Sequence, residues 1–267
     1  MTDTLHSPQE ESLAGTRLAH AITPLVEQHP EHSGVYPLAE GLDAFAARYL
    51  LISLAECTLD IQYYIWQNDM SGRLLFSALL EAAARGVKVR LLLDDNNTMG
   101  LDKTLSELNR HENIEVRLFN PFSFRSLRML GYLTDFARLN RRMHNKSFTV
   151  DGMATIVGGR NVGDEYFGAG DEPLFSDLDV LAVGPVVHDV ALDFDRYWQS
   201  RAVAPLNSVV EDEQSSPSAV VLPEEWRASE QVVRYLAEQG LNARSIASHW
   251  EGENDETPAV ANEASIA

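Results

Sequence analysis

The sequence predicts an α/β protein, a layered domain built on a mixed, mostly parallel sheet flanked by helices. Three observations carry that expectation. Strand periodicity and helix periodicity alternate between residues 36 and 204, enough for at least six strands. The composition, 45% hydrophobic and 23% charged over 267 residues, is that of a globular chain able to bury a sizeable core. A single cysteine, Cys57, allows no intrachain disulfide, so packing must hold the fold and no oxidising compartment is needed.

The elements follow in order. Residues 1–35 are polar and proline-punctuated, and Leu18, Ile22, Leu25 and Val26 share one face of a short amphipathic helix. So few basic residues accompany it that docking on the protein's own core is expected over membrane contact. Residues 41–56 read as a helix feeding the first strand, Thr58 to Trp66, where Leu59, Ile61, Tyr63 and Ile65 alternate with more polar neighbours. Asp69 or Ser71 can cap the next helix, whose Leu74, Leu75, Ala78, Leu79, Ala82 and Ala83 form one stripe ending at Gly86. Val87 to Leu93 is the second strand, placed parallel to the first by a right-handed crossover. Leu101 to Asn109 is a helix, and Ile114 to Phe119 a strand broken by Asn120-Pro121. An irregular arginine- and aromatic-rich stretch fills 121–143. His144 to Val150 and Thr155 to Val157 read as strands joined through Asp151-Gly152, a strong hairpin signal. Leu178 to Val183 is a strand closed by Gly184-Pro185, and Val187 to Gln199 a helix. Residues 205–267 are acidic and Ser/Pro-rich, expected to be largely disordered around a helix at 224–239.

Charge narrows the function classes. The formal net charge of −19 argues against general nucleic-acid coating. It is uneven: 205–267 carries a net −9, whereas 110–146 carries +5, which suggests a localised anion site. No uncharged apolar stretch reaches the about 18 residues a membrane helix needs. The start lacks the basic-then-apolar pattern of a signal peptide and any cysteine for a lipid anchor. The expectation is a soluble or membrane-surface protein.

One constellation carries chemistry. His144 and Lys146, two apart on a predicted strand, would project from one face about 6.6 Å apart. Asn161 follows the next strand across Gly158-Gly159, where a missing Cβ lets backbones approach. An imidazole, an ammonium and an amide suit a phosphate diester: the imidazole attacks phosphorus while lysine and asparagine stabilise charge on the equatorial oxygens. Taken singly, a histidine on a strand is more often structural and a Gly-Gly pair is weak. The joint spacing H-x-K-x(4)-D-x(6)-G-G-x-N is far more specific. Asp94-Asp95-Asn96-Asn97, after a strand's C-terminal end, reads as an acidic turn or helix cap over a cation site. Arg125, Arg128, Arg138, Arg141 and Arg142, with Phe122, Phe124 and Tyr132, could meet lipid headgroups.

This spacing resembles the phospholipase D superfamily signature, H-x-K-x(4)-D-x(6)-G-[SG]-x-N. The surrounding runs, LDIQYYIWQNDMSGRLLFSALLEAA, VRLLLDDNNT, RLNRRMHNKSFTVDG, GGRNVGDEYFGAG and FSDLDVLAVGP, are similar to the first half of bacterial C-type cardiolipin synthases over about residues 35–204. The resemblance implies one half of a two-domain pseudo-dimer. It also implies phosphatidyl transfer through a phosphohistidine to an alcohol such as phosphatidylglycerol, with no metal and no cofactor. His144 matches the nucleophile position, or else the acid/base of the second step, and Lys146 and Asn161 match phosphate ligands. Gly159 and Arg142 join them as candidate phosphate- or substrate-binding residues. Asp151 matches the signature aspartate, but strand parity puts it on the opposite face, so it reads as fixing a turn rather than acting directly. Asp179, with Asp177 as the alternative, is the expected carboxylate orienting the imidazole. Among the eight histidines only His144 has a lysine two residues on, whereas superfamily sites pair two signatures. A homodimer or a second phospholipase D-like half is therefore the expected partner, with phospholipid as substrate at the cytoplasmic face of a bacterial inner membrane. The alternatives are a homodimeric metal-independent nuclease, against which the overall charge speaks, or a catalytically incomplete half of a split or truncated synthase.

Overall fold

The computed structural model describes residues 13, 15–122, 136–169 and 177–210. The predicted helix at 224–239, and Phe124, Arg125, Arg128 and Tyr132, lie outside them.

Among the described residues eight strands form one sheet in the order β1-β7-β6-β5-β2-β3-β4-β8. They are β1 (Gly34–Leu38), β2 (Thr58–Tyr63), β3 (Lys88–Asp94), β4 (Ile114–Phe119), β5 (Ser147–Val150), β6 (Ala154–Gly158), β7 (Asp179–Val183) and β8 (Val203–Pro205). The helices are α1 (Arg17–Glu27), α2 (Gly41–Leu54), α3 (Met70–Ala84), α4 (Asp102–Asn109), α5 (Phe136–Leu139), α6 (Asp164–Phe167) and α7 (Pro185–Trp198). The mixed, helix-flanked sheet is the predicted one, but its proportions need correction. Only β2–β3 and β3–β4 run parallel, and the other pairs are antiparallel. The cause is local: the tight Asp151-Gly152 turn forces β5 and β6 antiparallel, and β7 and β1 continue that half as a meander around them.

The two faces of β2 show how period-2 alternation sorts the layers. Leu59, Ile61 and Tyr63 are fully buried in the larger core, shared with Phe45, Leu75 and Phe76 of α2 and α3. Behind the sheet, Leu92 and Met143 pack with Phe194 and Trp198 of α7 in a smaller cluster. Helix α1 docks Leu18 and Ile22 on the main core with Val26 partly buried against it, as its pattern predicts, whereas Leu25 of the same predicted face is exposed. The unpredicted strands β1 and β8 are short edge strands without the apolar alternation that reveals a central one.

Register brings one rim of the sheet together. The C-terminal ends of β2, β3, β4 and β6 and the N-terminal ends of β5 and β7 all lie there, as Gln62 pairs with Ser147, Ser147 with Val157, Gly158 with Asp179, and Tyr63 with Leu93. At the opposite end, Asp151 sits in the β5–β6 turn at φ +49°. Its buried carboxylate accepts from the backbone N–H groups of Glu56 (3.0 Å), Cys57 and Thr58 (both 2.8 Å), clamping the turn to the start of β2.

Candidate active site

The rim is assembled where strands stop. β2 leaves its ladder at Tyr63, three residues before the predicted end, and the freed backbone is taken up by the loop after β6. Asn161 Oδ1 accepts from Ile65 N–H at 3.0 Å, Val162 N–H donates to Ile65 O at 3.2 Å, and Gln67 N–H to Val162 O at 2.9 Å. The signature asparagine thus reaches the rim 5% exposed, and Tyr166 of α6 hydrogen-bonds its side chain.

His144 and Lys146 are not on a strand, since β5 begins only at Ser147. Their segment is positioned instead by Asp94, the buried last residue of β3. Its Oδ2 accepts from Met143 N–H at 2.8 Å, and its Oδ1 accepts from Asn96 N–H and the Arg142 guanidinium, both at 2.9 Å. Burial pushes the Asp94 carboxyl up from its usual range, with Arg142 and the Met143 amide opposing. The predicted cap reading of the Asp94–Asn97 run is what the structure has, and among the described residues no His/Cys/Asp/Glu cluster could hold a metal ion.

His144 and Lys146 converge all the same. Lys146 Nζ donates to His144 O at 2.7 Å, and both side chains lie against Tyr64. The imidazole stacks on the Tyr64 ring at 3.9 Å between centroids and 24° between planes, exposed on its other side. The ammonium sits 5.6 Å from the same ring centroid. Partial burial holds the Lys146 ammonium below its usual range, and the charges of Asp177 and Asp179 counter that.

The glycine pair does what close approach requires. A Cβ at Gly159 would fall 2.4 Å from Asp177 Oδ1, and one at Gly158 would fall 2.1 Å from Asp179 Oδ1. Asp177 is thereby held at the rim beside Lys146.

Two expected residues are engaged elsewhere. The Asp179 carboxylate, fully buried, accepts from Arg48 Nη2 at 2.8 Å and from Arg160 N–H at 3.1 Å, and among the described residues it has no bond to the imidazole. Arg48 in turn donates to Tyr63 Oη and Ala44 O. Burial disfavours its charge, but Tyr63 and Asp179 outweigh this and raise its pKa. Arg142 is likewise committed: besides Asp94 it donates to Leu139 O (2.7 Å) and Asn120 O (3.1 Å) and lies over Phe122. Arg138 fastens the same bend through Asn120 Oδ1 and Pro121 O. These arginines hold the chain break after β4 in place instead of offering free charge to an anion. Strand parity could not show this, because the guanidinium partners come from distant loops.

Sequence reasoning missed Tyr64, Arg48, Asn97 and Tyr166. For Tyr64 a signal existed: it follows the inward-facing Tyr63 in the β2 run and must point the other way.

Residues 50–198, more than half of the chain, match the family described as cardiolipin synthase, phospholipase D-like domain. The cardiolipin synthase C of Escherichia coli (strain K12) is 66% identical over 221 residues, covering 82% of this chain and 47% of the relative. The major cardiolipin synthase of Bacillus subtilis (strain 168) is 34% identical over 171 residues, covering 63% of this chain and 33% of the relative. This chain therefore spans about half, or less, of the length of these relatives. The solved phosphatidylserine synthase of Haemophilus influenzae Rd KW20 shares the fold at a TM-score of 0.51, with 14% identity over 83% of this chain and 48% of that one. The signature spacing, the rim it builds and these matches together place the chain in the family of cardiolipin synthase phospholipase D-like domains.

Proposed function

We propose that this chain supplies one signature half of a phosphatidyl-transferring site, and that His144 is its nucleophile. A ring nitrogen of His144 forms a bond to the phospholipid phosphorus as the ester bond to the leaving alcohol breaks, giving a phosphohistidine. An acceptor alcohol, such as the free glycerol hydroxyl of phosphatidylglycerol, then attacks phosphorus, gives its proton to the base left behind when the first leaving oxygen was protonated, breaks the P–N bond and restores the imidazole. Lys146 and the Asn161 amide meet the charge on the equatorial oxygens, so no step calls on a metal or a cofactor. The leaving oxygen needs a proton. The expected donor is the histidine of a second signature, from another copy of this chain or from a phospholipase D-like second half.

The observation that carries this reading is the convergence of His144, Lys146 and Asn161 on one rim, beside a glycine pair whose missing Cβ atoms let Asp177 and Asp179 pack in closely. Asp151 has no direct part, being clamped at the far end of the sheet. Asp177, at the rim, fits an imidazole-orienting role better than Asp179, whose carboxylate is held by Arg48. The net charge of −19 gives the nuclease alternative no support. Among the described residues no helix is long and apolar enough to cross a membrane, which fits peripheral work at the cytoplasmic membrane surface.

The test is phosphatidylglycerol vesicles with chelator. The chain is assayed alone and mixed with the half of E. coli cardiolipin synthase C that it does not match. Cardiolipin or phosphatidic acid in either arm, abolished by His144→Ala, is the expected result. No product in both arms, or product that survives the substitution, would overturn the proposal.

A further inference from the structure

We infer that Tyr64 is a positioning residue for the candidate nucleophile, fixing the plane of the His144 imidazole by stacking; this rests on the function proposed above. Among the described residues neither ring nitrogen of His144 is hydrogen-bonded, and the exposed ring has one stacking partner, Tyr64, at 3.9 Å and 24°. A histidine usually takes its orientation from a carboxylate or a backbone carbonyl on the second nitrogen. Here Asp179 is spent on Arg48 and the Arg160 amide. Asp177, beside Gly159, makes no hydrogen bond to the ring among the described residues, so the aromatic face sets the ring plane in which a nitrogen meets phosphorus.

The platform is itself held. Tyr63, one residue earlier, points into the core and accepts from Arg48 at 2.8 Å, so alternation drives Tyr64 out to the rim. Asn97 Nδ2 donates to Tyr64 O at 3.1 Å, and the next amide, Ile65 N–H, donates to Asn161 Oδ1 at 3.0 Å. Side-chain amides from two loops thus pin both polar groups of the one peptide unit that follows the ring. One of them belongs to a candidate phosphate ligand, so the platform and the phosphate site move as one body. Lys146 Nζ, 5.6 Å from the ring centroid, shares the same support. Stacked aromatic pairs contribute about 0.5–1.5 kcal/mol beyond area burial, enough to favour one ring plane.

The experiment compares wild type with Tyr64→Phe, Tyr64→Trp and Tyr64→Leu. Tyr64 is only half-buried, so all three should fold, and thermal melts check this. The His144 ring proton resonances, assigned by their loss in His144→Ala, report the stack directly and require no turnover. Phosphatidylglycerol vesicles, in the assay arm that supports wild-type turnover, give kcat and KM. Phe and Trp should keep the ring-current displacement and near-normal kcat. Leu should abolish the displacement and lower kcat roughly 10²-fold with KM little changed, the cost of a misplaced reacting group. The inference falls if Leu leaves resonances and kcat unchanged, or if Phe loses as much as Leu. An inactive wild type would sink the proposed function, while the His144 resonances of the Leu variant would still decide whether the ring is stacked.

Discussion

Replacing Asp151 separates a turn-fixing role from a catalytic one, because the structure gives each role a different magnitude. The wild-type carboxylate, fully buried, accepts three backbone N–H groups at 2.8–3.0 Å from a residue at φ +49°. Alanine removes both oxygens and with them all three hydrogen bonds. An unsatisfied buried donor costs about 1–3 kcal/mol, although water can reach the exposed Glu56 amide. Alanine also pays about 1–2 kcal/mol for left-handed backbone. Allowing for partial relaxation, Asp151→Ala should lose about 3–5 kcal/mol, a large part of a typical domain's total stability of about 5–15 kcal/mol. Glycine relieves the backbone strain without restoring the acceptors, so Asp151→Gly should recover about 1 kcal/mol of that loss. Asparagine keeps an amide oxygen and tolerates the left-handed region, so it should fall closest to wild type. Urea unfolding of the four proteins gives this order. In the vesicle assay Asp151→Asn should retain turnover wherever it remains folded. An alanine variant within 1 kcal/mol of wild type, or a folded asparagine variant without activity, would refute the reasoning.

Other perturbations test other contacts. Arg48→Met strips the buried partner from Asp179 and should cost about 3–5 kcal/mol in urea unfolding, part of it regained in Arg48→Met/Asp179→Asn. Gly159→Ala puts a Cβ 2.4 Å from Asp177 Oδ1 and must push that carboxylate from the rim; kcat should drop about tenfold or more with the melting temperature nearly unchanged. Partial burial lowers the Lys146 pKa from its ordinary 10.5, so its ammonium is lost on the alkaline side before that value. The alkaline limb of kcat/KM should therefore fall below pH 10.5, and Lys146→Arg should move it upward.

What the sequence made legible follows from where its signals are strong. Central elements with long apolar patterns, β2, α3, β3 and β4, were read within a few residues of their bounds, because burial on one or both faces writes a period into the chain. Edge strands β1 and β8 carry no such period and were missed. The overall proportion of parallel pairing is the part that differs. The β2–β3 crossover and the Asp151-Gly152 hairpin pair as read, but β7 and β1 extend the hairpin side antiparallel, so the sheet is not mostly parallel. The site was legible as a set of residue types at fixed spacing and much less as geometry. His144 and Lys146 do meet, yet through Asp94, a carbonyl contact and the Tyr64 ring, and not through strand parity. Asp179 and Arg142 illustrate the converse. Each looks available in the sequence, and each is consumed by a partner, Arg48 or Asp94, that lies far away along the chain.

The most direct measurement of the central claim is rapid chemical quench of the chain, in the assay arm that turns over, with phospholipid labelled at phosphorus, followed by alkaline proteolysis and peptide mapping. The account predicts label that is stable to base and labile to acid on the peptide carrying His144. It should be absent from His144→Ala and discharged by added phosphatidylglycerol. Turnover with no label on that peptide at any quench time, or label on a different residue, would contradict it.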